Sequence, residues 1–428
     1  MILKRFLRAL IFIALFILNN LILCSSNFIL NDINHNCIWI KHESITDTIN
    51  TNKIIDFLSK NKINKVFLEI YSNGEILNKE TQRIFNSQNG YFDDMYISGN
   101  DTVSNRGFNP IQPDTTYTTI FNPTNYFLDK LITLDNIKVY AWMNIYKLWD
   151  KNFYPKNKNH FYYQCPECLE YDINGKSDSS IKLDKIQSLE WEGIFLSPIH
   201  PEVNKYLKNI VVEVISQNNY DGLVLDYLRY QNFFYGYNKE GLEIFEKKFQ
   251  INPLDLNRGI ISKYFGYKQT EIDSIQNLWD DFRTSKITDF IDNISNMIIE
   301  DSLDYEILVV ANDSNHKESV NRWYQNWDFW LRNNLVNYVI VKNHDLDFND
   351  FNYNIKNLSK LYSSNHYDKL IIDLNLRQDN NLTIANKILA LRLQKFNNLS
   401  LYYYESYKNN IDWYQPIFKT INFSINYE

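Results

Sequence analysis

Short apolar runs alternate with helix-period segments along almost the whole chain, and that alternation limits the fold more than any other feature. The runs are "CIWIKH" (37–42), "KVFLEI" (65–70), "IKVYAWM" (137–143), "GLVLD" (222–226), "EILVVA" (306–311), "NYVIV" (337–341), "KLIID" (369–373) and "LSLYYYE" (399–405). Segments of helical spacing fall between them, most clearly at 201–218, 280–300, 350–361 and 383–397. Strands that are apolar on both faces and separated by crossover helices belong to parallel sheets. Eight such units in one chain predict a closed (β/α)8 TIM barrel occupying residues 37–428. The excess length over a minimal barrel lies in irregular stretches after strands two (71–120), three (144–197) and four (232–278). All three leave the carboxyl-end rim, where barrel proteins build their clefts.

The N-terminus reads as a targeting segment. Lys4, Arg5 and Arg8 precede an apolar run from Ala9 to Leu18, which is signal-peptide patterning and short for a membrane span. Residues 1–23 are therefore expected to be a signal peptide, with a linker over 24–36. Cys24 stands where a bacterial lipoprotein is cleaved and lipidated, so export to the cell envelope with membrane attachment through Cys24 is the expectation. Net charge of −7, with no basic patch past the N-terminus, argues against a nucleic-acid partner. Cys165 and Cys168 form "CPEC"; with His160 as the one nearby third ligand and no fourth, a local disulfide or two loop thiols is expected rather than a metal. No cofactor is expected.

The most informative stretch is "YDGLVLDYLRYQ" (220–231), where a buried strand stops on Asp226 and passes to Arg229 and Tyr230. In a parallel barrel that carboxylate points into the mouth, where desolvation demands a partner or a use. Arg229 and Tyr230 are the expected partners. A pair of carboxylates flanking a bond can cleave it by acid/base or nucleophilic chemistry, and Asp226 is the first candidate for such a pair. For the second, Glu69 and Asp313 rank together, followed by Glu405, with Asp373 as a further option. Trp142, Tyr146, Tyr230 and Tyr404 sit at strand ends where an aromatic face can stack on a ligand ring, and Lys342 and His344 suit an anionic substituent. Trp323, Trp327 and Trp330 at helical spacing read as core.

The stretch "FLSPIHPEVNKYLKNIVVEVISQNNYDGLVLDYLRY" resembles the bacterial glycosyl-hydrolase-like family ten. "AWMNIY" (141–146), "WDDFRTSKITDFIDNIS" (279–295), "YQNWDFWLRNNLVNYVIV" (324–341) and "SLYYYES" (400–406) resemble further family segments in the same order. The resemblance implies a glycosidase-like barrel in the cell envelope, with some members acting on peptide-free peptidoglycan strands. It carries family positions onto Asp226, Asn144, Arg229 and Tyr230, and implies that Asp226 acts on a glycosidic bond as nucleophile, as acid, or as the group orienting a substrate N-acetyl, with a second carboxylate across the bond. The chain departs at Gln231, where the family has proline, at "ANDSN" (311–315), at "KNHD" (342–345) and at Tyr71. The functional expectation is an envelope glycoside hydrolase acting on a polysaccharide of the cell wall. The alternative is a non-catalytic carbohydrate-binding surface lipoprotein on the same barrel.

Overall fold

The computed structural model describes residues 32–77, 81–86, 91–95, 118–134, 136–180, 182, 191–217, 220–257, 266–312, 315–344, 347–361, 368–377, 379–404 and 411–423. The expected signal segment, Cys24, Asp313 and Glu405 lie outside the described residues.

Eight strands form the barrel: β1 (His35–Ile40), β2 (Lys65–Ser72), β3 (Lys138–Asn144), β4 (Gly222–Asp226), β5 (Glu306–Ala311), β6 (Tyr338–Lys342), β7 (Leu370–Asn375) and β8 (Asn398–Tyr402). Each pairs in parallel with its sequence neighbours, and β1 pairs with both β2 and β8, which closes the sheet. Every strand expected from the apolar runs is present within a few residues of its expected bounds. Helices α1 (Thr48–Lys60), α2 (Pro123–Ile132), α3 (Pro201–Gln217), α4 (Gln269–Glu300), α5 (Trp327–Arg332), α6 (Phe348–Leu361), α7 (Asn381–Leu393) and α8 (Ile411–Ile421) follow the strands in turn. Asparagine, abundant in this chain, supplies many of the caps: Asn122 and Asn380 accept backbone N–H groups of the first turns of α2 and α7. No helix among the described residues is long and apolar enough to cross a membrane.

The strands bury both faces, as their continuous apolar runs require. Outward side chains such as Ile38, Val66, Leu223 and Val309 pack against the helices. Inward ones, Trp39, Phe67, Tyr140, Trp142, Val224, Leu308, Ile340 and Ile371, fill the barrel. At the amino end the inward Lys65 pairs with Glu306 at 2.9 Å, and Tyr140 also donates to Glu306. The two-residue period then puts Asn144, Asp226, Lys342 and Asp373 at the carboxyl end of the inward face, with Asp226 level with Asn144 and Lys342 level with Asp373, while Glu69 of β2 pairs with Trp142, one inward position lower. The loop after β2 carries a small antiparallel sheet of 81–86, 91–95 and 118–121. That after β3 forms a ribbon in which Lys147–Trp149 pairs with Ile194–Phe195.

Candidate functional site at the barrel mouth

Above the carboxyl ends of β3 to β6 lies a pocket of about 680 Å³. Lys147, Asp150, Trp191 and Glu192 come to it from the loop after β3, Tyr227, Gln231 and Asn232 from the loop after β4, and Lys342, His344 and Tyr402 from β6 and β8. Asn312, Arg322 and Trp323 complete the wall.

Asp226 is fully buried at the end of β4, and its cationic partner is Lys342 rather than the expected Arg229. The Lys342 ammonium donates to Oδ1 at 3.1 Å and to Oδ2 at 3.4 Å. Burial works against its charge, but the Asp226 carboxylate more than offsets this and holds the Lys342 pKa above the usual lysine range. This pairing has a topological cause. In a closed barrel, inward residues of alternate strands share a layer, so β6 supplies the partner across the mouth. Immediately after Asp226, Tyr227 adopts φ +55°, an uncommon conformation for a bulky residue, and its N–H caps Asp226 Oδ1 at 2.8 Å. Its ring is flanked by cations, with Lys147 Nζ 4.0 Å and Lys342 Nζ 5.0 Å from the centroid.

Arg229 instead holds Glu192, with Nη2 2.7 Å from Oε2. Its Nη1 donates to the carbonyls of Tyr230 and Gln231, so the guanidinium is locked to its own loop. Although burial opposes ionisation, Arg229 first, with Lys342 and Lys147, holds the Glu192 carboxyl below its ordinary range. Glu192 lies in "WEGIFLSP" and was not among the sequence candidates. The only available signal was its position five residues upstream of the "SPIHPEV" stretch, on a loop returning to the rim.

Lys147 sits among Tyr227, Asp150 at 3.2 Å, and Glu192, and these partners raise its pKa against burial. Glu69, a further candidate from the sequence, faces inward from β2 one position lower, level with Trp142; burial pushes its carboxyl up, while its bond to Ser72 pulls it down. Asn144 donates to that same Ser72 at 3.0 Å, and its buried Oδ1 has no hydrogen-bond partner among the described residues.

Asp373 is saturated with donors. Trp39 Nε1 lies 2.8 Å from Oδ1, Ser400 donates to the same oxygen, and His344 Nε2 lies 2.7 Å from Oδ2. Since a carboxylate only accepts, the His344 hydrogen is on Nε2 and Asp373 orients the ring that lines the pocket.

Several expected sugar platforms are structural instead. Tyr146 is buried outside the barrel, donating to Asn204 of α3 and packing on Phe290 of α4. Tyr230 is buried and donates to the Arg283 carbonyl, and Tyr404 packs on Phe57 and Tyr414. Trp142 is closed over edge-on by Trp39 and Tyr402, so it is floor rather than exposed face. Tyr146, Tyr230 and Tyr404 fail as platforms because the chain turns outward just past a strand end, and one residue of offset decides between mouth and shell. Trp327 and Trp330 are core as expected, but Trp323 is not. It lines the pocket between Arg229 and Arg322, at 4.6 and 4.9 Å.

Cys165 and Cys168 are disulfide-bonded. The histidine beside them is His200, its Nδ1 3.6 Å from Cys168 Sγ, whereas His160 bonds the Asn73 carbonyl and caps the 161–164 turn. These are the one set of three metal-ligand side chains close together among the described residues, and their sulfurs are already bonded to each other.

The sequence model of a family described as glycosyl hydrolase-like 10 matches residues 127–376, more than half of the chain. No curated protein matches the chain. Among solved structures, the glycoside hydrolase domain of PgaB (BpsB) from Bordetella bronchiseptica superposes with a TM-score of 0.61 at 13% identity, covering 92% of this chain and 99% of that one. The catalytic domain of a beta-amylase from Paenibacillus polymyxa gives a TM-score of 0.49 at 9% identity, covering 87% of this chain and 92% of that one. The first of these likenesses shares the barrel fold.

Proposed function

The chain belongs to the glycosyl hydrolase-like 10 family, and on that footing we propose that it is an exported glycoside hydrolase acting on glycan strands of the cell wall. The observation that carries this reading is a pair of carboxylates held in different ways at one pocket. Asp226 is buried at the end of β4 against Lys342, which lines the pocket, and Glu192 lines the same pocket, 47% exposed and fixed by Arg229. Two carboxyl groups placed on one cleft are what glycoside hydrolysis needs. Glu192, kept ionised by its cations, has the character of the nucleophile or base. Asp226 is its counterpart on the barrel side: as Glu192 or a water it activates takes the anomeric carbon and the glycosidic bond breaks, the proton held by the Asp226–Lys342 pair passes to the leaving oxygen, and the carboxylate beside a neutral amine regains a proton from water. Glu69, pushed up by burial on the far side of Lys147, is the alternative donor. The envelope location and lipid attachment at Cys24 are part of this proposal and rest on the N-terminal sequence alone.

The test is product release from peptide-free peptidoglycan strands by wild type, Glu192→Gln, Asp226→Asn and Glu69→Gln. Loss of kcat by about 10²-fold or more in the first two variants, with fold retained, is the expected result. Full activity in Glu192→Gln would remove it from the chemistry. A non-catalytic carbohydrate-binding protein is the reading that survives if wild type releases nothing from any glycan yet is retained by one.

A further inference from the structure

The loops after β3 and β4, both of which line the pocket, each hold two adjacent aromatic side chains in solvent. Phe153 and Tyr154 are 51% and 54% exposed, and Phe233 and Phe234 are 46% and 48% exposed. Asp150, which lines the pocket, lies just upstream of the first pair, and Asn232, also lining it, immediately precedes the second. Single exposed apolar residues are ordinary on a protein surface. These pairs differ because their backbone is clamped. Trp149 Nε1 donates to the Phe153 carbonyl at 2.7 Å, and Tyr163 Oη to that of Pro155 at 2.8 Å. In the second loop, the buried Arg283 donates to the carbonyls of Phe233 at 3.3 Å and Tyr235 at 2.6 Å. Tyr324 Oη adds a bond to the Phe233 carbonyl at 3.3 Å, and Ile173 N–H one to that of Phe234 at 2.7 Å.

Phenylalanine has no polar atom that gains from water, and a loop free to move would fold such rings inward. Here three successive carbonyls are held from beneath, and the Phe233 and Phe234 rings sit 3.9 Å apart facing outward. We propose that the two pairs are stacking platforms for sugar units beyond the pocket, so that the protein takes an internal stretch of a long glycan across its mouth rather than a short oligosaccharide. The proposal rests on the glycan reading above and adds to it the length of the substrate. Continuity with the pocket selects a glycan over a protein partner. A chain leaving the charged pocket at Asp150 or Asn232 meets an apolar ring next, and the C–H face of a sugar is the group that stacks there.

Affinity electrophoresis separates this inference from the catalytic one. Wild type, Phe233→Ala/Phe234→Ala and Phe153→Ala/Tyr154→Ala are run in native gels containing peptide-free peptidoglycan strands or glycol chitin. The same proteins are titrated with tetrasaccharides trimmed from each polymer. The expected result is about tenfold weaker retention by polymer for each double variant, with tetrasaccharide affinity unchanged. Variants that retain wild-type polymer affinity, or that lose polymer and tetrasaccharide affinity equally, would overturn the inference while leaving hydrolysis intact. A wild type retained by no glycan would overturn both. The replaced rings are exposed, so the variants fold, which circular dichroism verifies.

Discussion

At the scale of single residues, the mouth is governed by which cation each carboxylate faces. The chain order Asp226-Tyr227-Leu228-Arg229 suggests a local pair, yet Arg229 turns to Glu192 and Lys342 reaches Asp226 from β6. A buried ion pair adds little by existing, but removing one member strands the other charge. Asp226→Asn is therefore expected to cost about 3–5 kcal/mol, because Lys342 keeps its ammonium without a counter-ion. Asp226→Asn with Lys342→Met recovers most of that loss while remaining inactive. Urea unfolding of the two single variants and the double variant measures this. A cost under about 1 kcal/mol for Asp226→Asn alone would show that the pair is not what holds the mouth together. Activity of the Asp226 variants is accordingly compared only where each is fully folded.

At the scale of elements, the short segment from Trp191 to Phe195 decides where Glu192 stands. It is tied down by Asp178, whose Oδ1 accepts from Trp191 Nε1 at 3.3 Å and whose Oδ2 accepts from the Phe195 N–H at 3.0 Å. Burial raises the Asp178 pKa to about 7, and the neighbouring buried Glu170 is raised by burial too. A carboxyl raised in this way binds a proton in the folded state that the unfolded chain has already released. Stability is thus expected to fall as pH rises from about 4, the unfolded value, to about 7, the folded value. Glu192, with a lowered pKa, works in the opposite sense, losing its contribution as pH falls through its folded value. It is half exposed, so its effect is the smaller one. Asp178→Asn is expected to flatten the decline in thermal midpoint over that window. An unchanged slope would place the titration elsewhere, with Glu170 the first alternative. Asp172 and Tyr235 are the other ionisable groups facing Asp178.

At the scale of the whole molecule, a (β/α)8 barrel supplies a rigid ring of strand ends, and the long loops convert that ring into a pocket. The proposed attachment at Cys24 would set this mouth working at a membrane surface. The expectation is that wild type fractionates with membranes and Cys24→Ser is released to the soluble exported fraction. Identical partition of the two would remove lipidation from the proposal.

The barrel was legible in the sequence because each strand is buried on both faces and must be apolar along its length, which local composition records. Asp226 was legible for a related reason: a charge that ends such a run has nowhere to go but the mouth. Glu69 and His344 could be placed on the right rim by the same reasoning. Glu192 could not, since it lies in an irregular loop whose path depends on Asp178, Arg229 and the ribbon that pairs Lys147–Trp149 with Ile194–Phe195. Nor could the fates of Tyr146, Tyr230 and Tyr404, aromatics near strand ends that the chain's outward turn carries into the helical shell. Sequence by itself determined the alternation, the closed sheet and the carboxylate at the end of β4, because these follow from periods of two and of 3.6 residues. Only the tertiary structure decided which cation meets which carboxylate and which rings face the pocket. Those pairings join strands and loops distant in sequence, and no local period encodes them.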